Sequence, residues 1–185
     1  LVVASAGHRS RGPGFLHVGS VVEYLAHHLE HPLAVITPGA EPTVDRIVIG
    51  IDGSEHGQCS VDWTAHLAAA TGAEVLAVSV CEPDHPIASA GCAEDWGRAA
   101  ERLLTDKWAA PLAELGDRFR VLVSENAAVA DTLVGAATDQ HADLVVVGAR
   151  GLGGVTGLRI GGTALAVLHR AERPVVLVPR PSRSR

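Results

Sequence analysis

Asp143–Thr163, DLVVVGARGLGGVTGLRIGGT, decides the reading of this chain. It opens on a valine-rich apolar run, Leu144 to Val147, short enough to be a buried parallel strand. It then breaks into glycines at 148, 151, 153, 154, 157, 161 and 162, and resumes as an apolar helical segment from Ala164 to Leu168. A strand, a glycine-rich loop and a helix N-terminus together make an anion site. Glycine lets backbone N–H groups approach a phosphate, and the first helical turn leaves its N–H groups without intrahelical partners. The loop is too long for a P-loop and has no lysine before the threonine, and the dinucleotide G-x-G-x-x-G spacing is absent.

The spacing that does fit is G-x2-G-x9-G, at Gly148, Gly151 and Gly161. It resembles the nucleotide loop of the universal stress protein family, in its ATP-binding branch. That family's loop continues with Ser or Thr after the last glycine. Here the position is Gly162, and the hydroxyl comes one residue later at Thr163. The resemblance extends from Asp45 to Pro179 and implies an α/β, Rossmann-like fold: a five-stranded parallel sheet in the order 3-2-1-4-5 with helices on both faces. Ligands of such sheets bind past the carboxyl ends of the strands where the order reverses, between the first and fourth strands. Asp52 and Gly148 both fall there.

The implied ligand is ATP, with or without Mg2+. By the resemblance, Asp52 contacts the nucleoside and Val80 offers backbone groups to adenine. Gly148, Gly151, Gly161, Gly162 and Thr163 form the phosphate loop, with backbone N–H groups of Gly151, Gly161, Gly162 and Thr163 as the expected donors. Arg150 and Arg159 lie in the same loop and equally suit offsetting a triphosphate's charge or standing solvated. Read from the residues alone, Asp52 also suits an Asx turn or a helix cap into Gly53-Ser54, the lesser alternative.

Working outward, strands are expected at Leu1–Ala4, Leu33–Ile36, Arg46–Ile51, Glu74–Val80, Arg118–Val123 and Val175–Val178. Helices are expected over Ser20–Glu30, capped by Ser20, from Glu55 to about Ala70, over Ala93–Leu115 and over Val129–Gln140. Trp63, Leu67 and Ala70 form one packing stripe, and Pro111 threatens to kink the long helix. Strands alternating with helices imply right-handed crossovers and a parallel sheet.

The chain also repeats itself. Residues 19–36 align without gaps on 161–178: Gly19 meets Gly161, His27 meets His169, Glu30 meets Glu172 and Pro32 meets Pro174. Residues 1–36 therefore read as the C-terminal remnant of a preceding universal stress domain. Residues 37–44 read as a linker rich in proline and glycine, 45–180 as a complete domain and 181–185 as a basic tail. Val175–Val178 would be a bare apolar edge in the five-strand order. It is expected to pair antiparallel with Leu33–Ile36, as self-association or as pairing of domains within one chain.

Composition narrows the function. Of 185 residues 47% are apolar and only 3% aromatic, so the core is built from Ala, Val and Leu. A net charge of −6 argues against nucleic acid. No apolar run approaches a membrane span. Three cysteines, Cys59, Cys81 and Cys92, without metal spacing suit a reducing cytoplasm. Cys59 lies near a helix start, where a thiol pKa can fall, but burial on an apolar face is its expected fate. His27 and His31 stand one helical turn apart with His28 beside them, but no acidic or cysteine partner has ligand spacing. The chain starts at Leu1 inside an apolar run and holds no Met, as a fragment or a misplaced start would. No nucleophile elbow, carboxylate pair or Walker lysine is present. The reading is a binding module that senses or reports adenine nucleotide. A dimerising scaffold that binds none and a slow ATPase are the alternatives.

Overall fold

The computed structural model describes residues 1–5, 19–81, 93–126, 128–152 and 160–181. Its strands are β1 (Val2–Ser5), β2 (Leu33–Ile36), β3 (Arg46–Gly50), β4 (Glu74–Cys81), β5 (Phe119–Glu125), β6 (Leu144–Gly148) and β7 (Val175–Val178). Its helices are α1 (Ser20–His27), α2 (Glu55–Thr71), α3 (Ala93–Leu103), α4 (Val129–Asp139) and α5 (Gly162–Arg170).

The strands form one sheet in the order β1-β2-β7-β6-β3-β4-β5. Seven strands replace the expected five, and the sheet is mixed, because β2 joins β7 antiparallel while every other pair is parallel. The physical reason is the apolar edge of β7. All four of its residues are buried, and β2 supplies the backbone partners that a terminal strand would lack. The five strands from residue 46 onward are contiguous within the larger sheet.

Period-two alternation sorts the core into two layers. Val48, Val78, Val145, Val147, Val175 and Leu177 face α1, α4 and α5, where Ala26, Leu133, Val167 and Leu168 complete the packing. Ile47, Ile49, Val75, Val146 and Val176 face α2 and the segment after α3, where Val61, Leu104 and Leu112 pack. Strands buried on both faces explain the unbroken valine runs.

Three helix expectations are corrected. The span 93–115 is not one helix. It breaks into α3, a π-helical turn at Leu104–Trp108 and a 3-10 segment at Ala110–Arg118, with Pro111 at the start of the last. Pro111 has no N–H to donate and cannot continue an α-helix built ahead of it. Helix α1 ends at His27 rather than Glu30, and its N-cap is Gly19, not Ser20. The buried face of α2 is Gly57, Ser60, Val61, Thr64 and Ala68, while Trp63 and Leu67 are half-buried and Ala70 is exposed. Small residues face the sheet there, which lets the helix lie close to it.

Candidate functional site

The carboxyl ends of β3, β4 and β6 open onto a cleft of about 430 Å³. Asp52 sits at its centre, two residues past β3. Its Oδ1 accepts from the Ser54 N–H at 3.0 Å and from the Ser54 hydroxyl at 2.6 Å, and its Oδ2 accepts from the Leu152 N–H at 3.1 Å. The Asx-turn reading is therefore realised, and the same carboxylate ties the start of α2 to the loop after β6. Ser54 in turn caps α2, its hydroxyl accepting from the Gly57 N–H at 3.0 Å.

The glycines around this carboxylate are there because no Cβ fits. A Cβ on Gly151 would lie 2.5 Å from Asp52 Oδ2, and one on Gly148 would lie 2.9 Å from the backbone carbon of His56. The second contact is with backbone, which cannot swing away. Gly148 therefore sets how closely β6 approaches the N-terminus of α2.

Gly148, Arg150, Gly151, Gly161, Gly162 and Thr163 all line the cleft, together with Asp52 and Val80. Gly153, Gly154, Gly157 and Arg159 lie outside the described residues. One expected donor is corrected. The Gly161 N–H donates to the Ala149 carbonyl at 2.7 Å and is not available to a phosphate. Gly161 is instead the N-cap of α5, so the open first-turn donors are the N–H groups of Gly162, Thr163 and Ala164. The positive end of the helix dipole points the same way. No side-chain hydrogen bond caps this helix, which follows from Gly161 and Gly162 carrying no hydroxyl.

Val80 is placed by register. The Ile51 N–H donates to Val78 O at 2.9 Å, so the backbone groups of Val78 face β3. Two residues on, Val80 faces the same side, where β3 has ended at Gly50. Val129 and Leu133 of α4 close an apolar slot beside it. Asn126 holds that side of the rim, its N–H donating to Cys81 O at 3.2 Å while its Oδ1 accepts from the Ala128 N–H at 2.9 Å.

Sequence reasoning passed over several residues here. Trp108, Cys81, Ile160 and Ala164 line the cleft, and His56 stands at its edge. The His56 pKa is pushed below the ordinary 6.5, first by burial and then by the Arg150 and Arg180 guanidiniums, with Asp52 and Glu55 pulling the other way. Its Nδ1 accepts from the Arg180 N–H at 3.1 Å, while the Arg180 side chain pairs with Glu55. Partial burial, the fate expected of Cys59, pushes that thiol up, with the Asp62 and Glu55 carboxylates adding to it. Burial also raises Cys81, against a hydrogen bond from Ser79. Helix periodicity carried no signal for Trp108, because the π-helical turn that aims it is invisible to a regular period.

Residues 43–179 match the model of the universal stress protein family. The chain belongs to that family. A universal stress protein of Mycobacterium bovis is 29% identical over 186 residues, covering 95% of this chain and 58% of that protein. The chain thus spans less than two thirds of the length of such curated relatives. Among solved structures, a universal stress protein from Archaeoglobus fulgidus superposes with a TM-score of 0.62 at 19% identity, over 88% of this chain and 55% of that one. A universal stress protein solved in complex with cAMP gives a TM-score of 0.57 at 25% identity, over 74% of this chain and 98% of that one. Universal stress folds of this kind are α/β and Rossmann-like, as the parallel part of the sheet is here.

Proposed function

We propose that this chain is an ATP-binding universal stress module with a sensing or regulatory role rather than a catalytic one. The observation that carries this reading is a cleft with two chemically different ends. At one end lie Val80, Val129 and Leu133, an apolar slot suited to a purine. At the other lie the open N–H groups of Gly162, Thr163 and Ala164 with Arg150 beside them, suited to phosphate. Asp52 stands between, and its spare lone pairs suit ribose hydroxyls. Its negative charge repels phosphate, which orients the ligand. The relative solved with cAMP supports an adenine nucleotide as the ligand class.

Mg2+ would arrive with the triphosphate. Asp52 is the one carboxylate among the described residues lining the cleft, and both its oxygens already accept hydrogen bonds. It is poorly placed as a free general base, so rapid hydrolysis is not part of this reading. Gly162 favours one second reading, a universal stress scaffold that binds no nucleotide, because the hydroxyl expected at the phosphates is missing. Calorimetric titration separates the two. ATP should bind the wild-type chain and bind Asp52→Ala at least about tenfold more weakly, since charged hydrogen bonds are each worth about 1.5–3 kcal/mol. Absence of binding at millimolar ATP overturns the nucleotide reading.

The same proposal takes residues 1–36 as the C-terminal remnant of a preceding domain, 37–44 as a linker, 45–180 as a complete domain and 181–185 as a tail. The register of β2 on β7 supports it. Ala34 pairs with Val176, its own counterpart in the repeat, while Leu33 pairs with Leu177 and Val35 with Val175. Exchange of this kind is what a two-fold axis through the central pair requires. The partner of the domain is then its own chain, and its compartment the cytoplasm. No helix among the described residues is long and apolar enough to cross a membrane.

A further inference from the structure

Trp108 packs against the core on the α2 face and also lines the cleft. The π-helical turn Leu104–Trp108 closes with the Ala109 N–H donating to Leu104 O at 2.7 Å, a bond spanning five residues. The wider turn re-aims the side chain that ends it, and such turns recur at functional sites. Trp108 is thereby laid against Gly53, the residue after Asp52. A Cβ on Gly53 would fall 2.4 Å from Trp108 Cε2, 2.6 Å from Cζ2 and 2.9 Å from Nε1. Gly53 also has φ +74°, so both its conformation and its missing side chain make room for the ring.

Trp108 is half-buried and lines the cleft with Asp52, Val80 and Cys81. Among the described residues no acceptor takes a hydrogen bond from its Nε1–H. Indole N–H groups at partly buried sites usually find a partner, and here the open space beside the ring is the cleft.

We infer that Trp108 is a specificity-determining residue of the site. Its ring walls the nucleoside end, and its Nε1–H donates to a sugar oxygen held on the other side by Asp52. This rests on the nucleotide reading and goes beyond it, since it assigns recognition of the nucleoside to a residue outside both the glycine loop and the strand ends. The phosphate end contacts α5 and does not involve Trp108.

Three probes test it: ATP, adenosine and inorganic tripolyphosphate, titrated calorimetrically into the wild-type chain, Trp108→Phe and Trp108→Ala. Trp108→Ala should weaken ATP and adenosine by about fivefold or more, the scale of base–aromatic contacts, and leave tripolyphosphate unchanged. Trp108→Phe keeps an aromatic wall without the donor and should fall between. Emission gives a second measurement that leaves Trp108 in place. With Trp63 and Trp96 replaced by Phe, adenosine should shift or quench the remaining fluorescence and protect it from acrylamide. If Trp108→Ala does not fold, Trp108→Phe and the emission decide. Unchanged nucleoside affinity with unmoved emission, in a chain that still binds ATP, overturns the role of Trp108 and leaves the site standing. Equal losses for all three probes also overturn it, because they mark a structural effect. Failure of the wild-type chain to bind ATP removes the nucleotide reading and this inference together.

Discussion

At the residue scale the site turns on an absent side chain and on one titrating neighbour. Gly162 is at the first position of α5, and a Cβ there would meet nothing within 4 Å. Gly162→Ser therefore fits without strain and places a hydroxyl where the phosphates are proposed. It is expected to tighten ATP by up to about 1.5–3 kcal/mol and leave adenosine unchanged in the same calorimetric assay. His56 makes a different prediction. Its folded pKa lies below the ordinary 6.5, so the folded protein resists its protonation. The stability this contributes is complete above about pH 6.5 and is lost as pH falls through the folded value, because the unfolded chain binds the proton more readily. In His56→Asn, which retains an acceptor for the Arg180 N–H, thermal unfolding should lose part of the wild-type decline seen as pH falls below about 6.5. An identical decline in both proteins would show that other groups carry it.

Helix α2 shows, at the element scale, how a close approach is obtained and what it costs. Its sheet-facing positions are Gly57, Ser60, Val61, Thr64 and Ala68. The Ser60 hydroxyl donates to Gly57 O at 2.7 Å, but the buried Thr64 Oγ1 has no partner among the described residues. An unsatisfied buried hydroxyl costs about 1–3 kcal/mol. Thr64→Val keeps the branched shape and is expected to raise unfolding free energy by about 1 kcal/mol in urea titration. The opposite face of the problem is Gly148, whose missing Cβ lets β6 end against the backbone of His56 and Gly57. Gly148→Ala should force the two elements apart and lower stability by about 1–3 kcal/mol, the range for overpacking. Nucleotide affinity should fall with it.

For the whole molecule the decisive contact is β2 against β7. Both ends of the resulting sheet remain edges. At one of them, Val3 of β1 is 63% exposed, and α1 leaves Val21 and Tyr24 exposed on the same unit. Helix α1 nonetheless packs into the core through Val22 and Ala26 and meets α5 where Glu23 Oε1 lies 3.7 Å from His169 Nε2. Deleting residues 1–40 would strip β7 of its partner and bare a four-residue strand of VVLV. The shortened chain is expected to self-associate through that edge, seen as a dimer or larger species by sedimentation. A soluble monomer would show that β2 protects nothing.

Much of this was determined by the sequence alone. Valine runs at 46–51, 74–80, 144–147 and 175–178 can only be strands buried on two faces, and the glycines at 148, 151 and 161 mark where backbone must come close. The self-match of 19–36 with 161–178 placed Leu33–Ile36 beside Val175–Val178, because an apolar edge and its duplicate satisfy one another. Tertiary structure decided the rest. Whether the Gly161 N–H is open depends on the Ala149 carbonyl, twelve residues away in the chain and hydrogen-bonded only once the loop closes. The split of 93–118 into three kinds of helix, which aims Trp108 at Gly53, has no regular period for a pattern to reveal. Likewise, the depressed His56 pKa comes first from burial and then from Arg150 and Arg180, which lie far along the chain and meet it only in the folded structure. Periodicity is a local property of the chain. Who accepts from whom, and which charges meet, are properties of the folded surface.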